Sequence, residues 1–155
     1  PMSLKVDKKV WEAMKKKFRQ ADSIQLSVGF FEEDRYGPEN ENLPVAYIAR
    51  IQDAGLGPPA RPFMSGAQGL TGVVRSTPYR KDYQEAARRI ILNLSTVQQE
   101  YAKLGTFLVQ DTKEIIEQWS SPPNAALTVE LKGFNDPLIE TETMKNSVKF
   151  KIEKG

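Results

Sequence analysis

The sequence has no cysteine and no histidine among its 155 residues. Without cysteine there is no disulfide framework, no thiolate nucleophile and no thiolate-ligated metal. Without histidine the chain lacks the commonest general base and the commonest metal ligand, and every Ser–His or Cys–His catalytic arrangement is excluded. We therefore expect that this protein is not an enzyme and has no cofactor and no metal site.

Long apolar runs are missing as well. No stretch approaches the roughly 20 apolar residues of a membrane-spanning helix, and the N-terminus lacks the apolar core of a signal peptide. We therefore expect no membrane partner. Hydrophobic residues still make up 39% of the chain and aromatic residues 9%, which is enough for a core and argues against wholesale disorder.

Charge of either sign is not in excess, since the net charge is only +2, but the signs are separated along the chain. Residues 1–20 carry seven basic and two acidic side chains, whereas residues 32–42 carry five acidic and one basic. Such segregation suits docking between copies of the chain or against a charged lumen. The alternative is that these segments are solvated helix faces and a solvated loop.

Hydrophobic periodicity predicts one α+β domain over residues 1–155, with a small antiparallel sheet packed against several helices. The long helical region is either one helix or two helices broken near residues 93–96. The predicted elements are, in chain order, a helix at 7–21, a strand at 25–31, a helix from Pro44 to Gly55, helical residues 79–119, short helical segments at 124–131 and 141–146, and a strand at 147–153.

The first predicted helix is amphipathic. Asp7 or Ser3 is suited to cap its start. Lysines fill one face, and the other face requires burial because apolar residues recur on it every four positions: Val6, Val10, Met14 and Phe18.

A segment rich in glycine and proline, residues 56–77, is predicted to be a loop or arm. Its glycines at positions 66, 69 and 72 lack the G-x-G core of a dinucleotide site and the lysine of a P-loop. We expect residues 65–77 to be exposed and mobile in the free chain and to become ordered on a partner. Leu70, Val73 and Val74 are the side chains expected to insert into a neighbour, as in strand addition.

The stretch just before this segment offers a second candidate contact. Prolines at positions 58, 59 and 62 stiffen the chain, so that Arg61, Pro62, Phe63 and Met64 form a candidate interface with a neighbouring subunit. In that arrangement, Phe63→Ala leaves the stability of the isolated chain intact. The alternative is that the segment folds back on its own core, with Phe63 buried and Arg61 paired with Asp53.

Two carboxylate groupings are weak candidates for chemistry. Glu32, Glu33 and Asp34 lie together in an acidic loop, where solvation is favoured over cation binding because no calcium-loop spacing is present. Glu140 and Glu142 are two residues apart in a predicted turn, and capping groups are favoured there over an acid–base pair.

Two longer patterns carry a family resemblance: AYIARIQDAGLGPPARPFM at residues 46–64 and KGFNDPLIETETMKNSV at residues 132–148. With the strand VGFF at residues 28–31, they resemble the tail-completion or neck proteins of tailed bacteriophages, also called virion morphogenesis proteins. The resemblance runs from about residue 26 to residue 152. Asp53 and Glu140 stand where that family usually has Glu and Asp, Glu142 stands where it usually has Gly, and residues 65–77 read as an insertion.

The resemblance implies a structural role without catalysis. It implies a homo-oligomeric ring of six copies, with twelve as the alternative, between the head connector or adaptor and the tail terminator or tail tube. Genome DNA would pass through the lumen, with non-specific contact at most. The implied location is the head–tail junction of the virion, and the host cytoplasm during assembly.

A different class of function remains open from the residues themselves. The basic N-terminal helix suits a small nucleic-acid-binding protein, although the apolar side of that helix and the acidic loop at 32–42 argue against it. A hydrolase of unknown type is a third, remote class because histidine and cysteine are absent.

Overall fold

The computed structural model describes residues 5–124 and 142–155. Six α-helices and two β-strands occur in this part of the chain, together with a short 3-10 helix at Pro38–Asn40. They are, in chain order, α1 Lys8–Asp22, β1 Ile24–Gly29, α2 Val45–Ala54, α3 Leu70–Arg75, α4 Thr77–Ile91, α5 Val97–Gln118, α6 Thr143–Asn146 and β2 Lys149–Lys154. The prediction of an α+β fold is confirmed. The predicted helix at 124–131 falls almost wholly outside the described residues.

The sheet consists of the two strands from opposite ends of the chain. β1 and β2 pair antiparallel, with Ile24 opposite Lys154 and Gly29 opposite Lys149. α5 lies against both strands and also contacts α3 and α4. The close approach depends on Gly105, because a Cβ there would lie 2.6 Å from the ring of Phe150.

The long helical region is two helices rather than one. Asn93 has a φ of 60°, in the left-handed region, so the chain leaves the helix after Ile91. Thr96 then starts α5 with a capping box: its side chain accepts from the Gln99 N–H, and the Gln99 side chain accepts from the Thr96 N–H. The local capping signal at Thr96 accounts for the break.

The core lies between α2, α5 and the segment before β2. Pro44 precedes α2 and Gly55 ends it at a φ of 71°, as the sequence predicts. Apolar residues from distant parts of the chain meet in this core: Tyr36, Val45, Ala49, Phe63, Ile116, Met144 and Val148.

The first helix departs from expectation in its packing. Asp7 caps it as predicted, accepting from the N–H of Lys9 at 2.9 Å. No residue of α1 is buried, however. The helix touches the body mainly near its C-terminal end, where Lys17 Nζ donates to the Ile91 carbonyl and Tyr101 Oη donates to the Ala21 carbonyl. The expected burial is therefore wrong for Val6, Val10 and Phe18, which are exposed in the single chain, whereas Met14 is half-buried.

Candidate interaction surfaces

Phe63 is a core residue in this structure. Its side chain is 0% exposed and packs edge-on against Phe30, with ring centroids 6.1 Å apart. Met64 is half-buried against the same core, and Pro62 is half-buried beside it. Residues 61–64 thus fold back on their own domain. This burial contradicts the prediction that Phe63 docks on a neighbour.

Arg61 also forms its contacts within its own chain. The residue is 4% exposed, and its guanidinium donates to Gln52 Oε1 at 2.7 Å and to the carbonyls of Pro122 and Pro123 at 3.2 and 3.4 Å. Burial lowers the pKa of Arg61. The expected partner was Asp53, which instead accepts from the Met64 and Ser65 N–H groups at 2.7 and 3.1 Å. Arg61 therefore ties α2 to the chain beyond α5 and is not available as an interface anchor.

Residues 65–77 are a folded part of the domain, contrary to the mobile arm predicted. They include α3, and Leu70 is buried. A Cβ on Gly72 would overlap the carbonyl oxygen of Ala67, and one on Gly69 would overlap the carbonyl of Phe63. Glycine is needed at both positions because two backbone segments approach closely there. The glycine content that predicted a mobile segment therefore reflects tight packing.

Leu70 and Val74 line one side of a groove of about 560 Å³ that runs beside β1. Val73 is half-buried on the same short helix. The groove is framed by β1 on the opposite side and by α5 between them. Leu70 and Val74, which were expected to insert into a neighbour, therefore line an open groove of their own molecule. The sequence indicates the open edge beside this groove, because a sheet of only two predicted strands has no neighbour at either edge.

A second uncovered surface is the apolar stripe of α1, which we define as Val10, Trp11 and Phe18 together with Val6, two residues before the helix. These side chains are between 49% and 58% exposed. Most of the lysines on the same helix are exposed as well. The stripe is an unpaired apolar surface beside a basic one.

Two carboxylates of the acidic loop, those of Glu33 and Asp34, pair with lysines of β2. Lys149 contacts Glu33 and Asp34 at 3.1 and 2.8 Å, and Lys151 contacts Glu33 at 2.8 Å while its Nζ lies 4.2 Å from the centre of the Phe31 ring. The hydrogen bond from Lys151 is the largest of the effects that lower the pKa of Glu33 to about 2. These carboxylates stabilise the loop on the sheet, which fits neither a cation site nor a fully solvated cluster.

This loop predicts an acid-sensitive contribution to stability. The pKa of Glu33 is lower in the folded chain than its ordinary value of 4.5, so its stabilisation is present above about pH 4.5 and is lost as pH falls through about 2. Because the pair is exposed, salt should weaken the effect. We expect Glu33→Gln to flatten the pH dependence of thermal unfolding between pH 5 and pH 2, and Glu32→Gln to leave it unchanged. Equal curves for Glu33→Gln and wild type would contradict the assignment.

Glu142 has a left-handed backbone, with a φ of 60° and a ψ of −7°, directly before α6. Its side chain is exposed and lies 3.4 Å from Lys145 Nζ. Glu140 falls outside the described residues, so the predicted carboxylate pair is not assessed. A left-handed residue at this position is what glycine adopts most readily, which agrees with the Gly that the resembling family usually has here.

This conformation makes Glu142→Gly a stabilising substitution. The left-handed backbone costs a non-glycine residue roughly 1–2 kcal/mol, and the extra freedom of an unfolded glycine offsets about 0.5–1 kcal/mol of that. We expect the free energy of unfolding to rise by about 0.5–1 kcal/mol in denaturant titrations. Glu114→Gly, in the regular part of α5, is the control and should lower it by about 1 kcal/mol. Destabilisation by Glu142→Gly would contradict the interpretation.

Other chemistry is sparse in residues 5–124 and 142–155. No group of three or more histidine, cysteine or carboxylate side chains is placed to hold a metal ion there. Within the same residues, none of the helices has the length and apolar character needed to cross a bilayer.

Comparisons with known proteins do not show a family for this chain. No family model matches the chain, and neither a curated protein nor a solved structure matches it. The functional interpretation therefore depends on the motifs of the sequence and on the surfaces of the fold.

Proposed function

We propose that the chain is a structural protein of the head-to-tail junction of a tailed bacteriophage, and that it assembles with copies of itself into a ring around the DNA path. The single observation that carries the assembly part is the uncovered apolar stripe of α1. Most of the stability of a helix comes from packing its apolar face, and α1 has no buried residue of its own. A contiguous exposed apolar surface marks an association site.

The phage assignment is supported by the motif pattern between residues 26 and 152. The left-handed Glu142 adds to this support, since it occupies the position of the family's usual Gly. By the same resemblance the ring has six copies, with twelve as the alternative, and contacts the head connector or adaptor on one side and the tail terminator or tail tube on the other. It would be located in the virion, after assembly in the host cytoplasm, and its interfaces would be heterologous ones that close.

Oligomeric state as a function of concentration tests this proposal. We expect native mass spectrometry to find monomers or weak oligomers at low concentration, and negative-stain class averages to find closed six-fold rings at high concentration. Val10→Asp with Phe18→Asp should abolish association, whereas Lys9→Asp with Lys16→Asp, on the basic side of the same helix, should not. A chain that stays monomeric at every concentration, or forms only closed dimers, would contradict the ring.

Nucleic-acid binding is the second candidate, favoured by the exposed lysines of α1. A gel shift with duplex DNA over a range of salt concentrations distinguishes the two. A retarded band that persists at about 150 mM salt and disappears with Lys9→Asp and Lys16→Asp would favour DNA binding as the main function. Loss of retardation at that salt concentration is expected for the structural protein.

A further inference from the structure

The free edge of β1 carries unpaired backbone groups. Gly155 N–H donates to the Ser23 carbonyl at 2.8 Å, which extends the β1–β2 register by one residue pair. In an antiparallel pair, hydrogen-bonded and non-hydrogen-bonded residue pairs alternate. Because Ser23 belongs to a hydrogen-bonded pair, the N–H and C=O groups of Ile24, Leu26 and Val28 must point away from β2. No described residue forms a hydrogen bond with them on that side.

The two edges of the sheet differ in how they are protected. β2 carries lysines at positions 149, 151 and 154, and lysine is a side chain that natural proteins use to keep sheet edges from pairing. β1 carries no charged residue between Ile24 and Gly29. The exposed edge of β1 is therefore open to an added strand, whereas the lysines of β2 disfavour strand pairing at its exposed edge.

The groove beside β1 has the shape for a single extended segment. Ile24, Leu26 and Val28 line one side and α3 and α4 line the other, where Tyr79 and Tyr83 stand. α5 contacts both sides and forms the floor, with Leu104 and Leu108 among the lining residues. Because α3 and α4 line the far side of this groove, they limit what can be added beside β1 to a single strand. The occupant is then a lone strand whose alternate side chains are apolar and face the floor.

The chain itself contains a segment with this pattern. In residues 2–6 the apolar Met2, Leu4 and Val6 alternate with the polar Ser3 and Lys5. Val6 is exposed, and the Asp7 backbone that joins the segment to α1 is extended. This segment has strand periodicity and lies directly before a helix that is itself barely packed on the body.

Geometry prevents the segment from filling the groove of its own molecule. α1 runs from Ala21, beside Tyr101 at the groove, past Lys17, beside Ile91 at the far end of α4, so its start lies away from the groove. Its 15 residues span about 22 Å at 1.5 Å per residue. Residues 2–6 reach back at most about 22 Å from Lys8 at roughly 3.6 Å per residue, which leaves no length to lie along β1.

We propose that the groove beside β1 binds residues 2–6 of a second copy of this chain as an added strand, antiparallel or parallel to β1. The inference rests on the proposed function in that it names the contact by which copies join. Residues 2–6 of one molecule, which we call the N-terminal arm, enter the groove of the next. The contact is therefore heterologous and can close into a ring. The apolar stripe of α1 would be covered in the same contact, because it follows the arm directly.

The first test compares two charge substitutions that lie on opposite sides of the arm. Leu4→Glu places a charge on the side that faces the groove, and Ser3→Glu places the same charge on the side that faces solvent. By sedimentation equilibrium on the full chain, we expect Leu4→Glu to weaken self-association about tenfold or more, as for the loss of one buried leucine. Ser3→Glu should change it less than about threefold. Equal association constants for the two variants would overturn the proposal.

The second test locates the binding site and does not depend on assembly. A synthetic peptide of residues 1–7, PMSLKVD, is titrated into the isotope-labelled Leu4→Glu chain. We expect amide shift changes at Ile24, Leu26 and Val28 with this peptide, and none with the peptide PMSEKVD, in which Glu replaces Leu4. The variant Leu26→Pro removes an outward N–H without removing a bond to β2, and should bind the peptide less well while thermal unfolding shows it folded. Shift changes confined to α1, or absent altogether, would overturn the proposal.

These results separate the proposal from the proposed function. Six-fold rings that persist in Leu4→Glu would overturn the proposed contact between the N-terminal arm and the groove, and would leave the proposed ring in place. Peptide binding at β1 in a chain that forms only dimers would support the arm and contradict the ring.

Discussion

Phe63→Ala is expected to lower the free energy of unfolding by about 3–5 kcal/mol, the cost of emptying a fully packed aromatic site in a core. Phe63 is 0% exposed and joins Phe30 to a cluster that includes Val45 and Ile116. In a chain of this size the loss would leave little stability, so the variant should unfold at low denaturant concentration or be recovered insoluble. Chemical denaturation followed by tryptophan fluorescence measures the change.

A matched control comes from α5. Phe107 is the same residue type but is 45% exposed, and Phe107→Ala should cost less than about 1 kcal/mol. If Phe63→Ala behaved like Phe107→Ala, the segment at 60–64 would be an arm that reaches a neighbour, as the motif by itself allows. The two substitutions therefore distinguish a core residue from an interface anchor.

Gly72→Ala is expected to have the opposite sign from a glycine substitution in a mobile loop. In a flexible segment, alanine reduces the entropy of the unfolded chain and stabilises by about 0.4–1 kcal/mol. At Gly72 the added Cβ would overlap the carbonyl oxygen of Ala67, and backbone atoms cannot rotate aside as a side chain can. We expect a loss of about 2–4 kcal/mol, similar to other cases of overpacking and backbone strain.

Gln68→Ala serves as the control, because Gln68 is exposed in the same segment and should change stability by less than about 0.5 kcal/mol. Limited proteolysis gives a second measurement. The wild-type chain should resist cleavage between residues 65 and 77, and Gly72→Ala should be cut there. A neutral or stabilising Gly72→Ala would return the segment to the mobile arm that its composition suggests.

Local signals in the sequence were sufficient for most of the secondary structure. Asp7 at the start of α1 and Pro44 and Gly55 around α2 act on the backbone within one or two turns, so they can be recognised without knowing the rest of the fold. The alternating pattern before Gly155 predicted β2 for the same reason. The break between α4 and α5 remained ambiguous because both sides of it continue in helical period.

The candidate surfaces were harder to predict because glycine and proline have two opposite uses. The prolines and glycines between residues 56 and 77 indicate a flexible or stiffened arm by composition, yet the same small residues permit close backbone packing. Only the position of Ala67 and Phe63 relative to Gly72 and Gly69 decides between the two. The open groove lies beside β1, where the sequence shows a strand but not which of its edges is covered.

The sequence by itself determined the fold class of this protein: an α+β domain without cysteine or histidine, with capped helices and one strand near each end of the sequence. Tertiary structure decided which apolar side chains are satisfied within one molecule. Phe63 shares a core with Ile116, 53 positions later, whereas the stripe of α1 stays about half exposed in the described chain. Periodicity shows that a face needs burial, but burial is a property of distant residues brought together, and that information is absent from any local pattern.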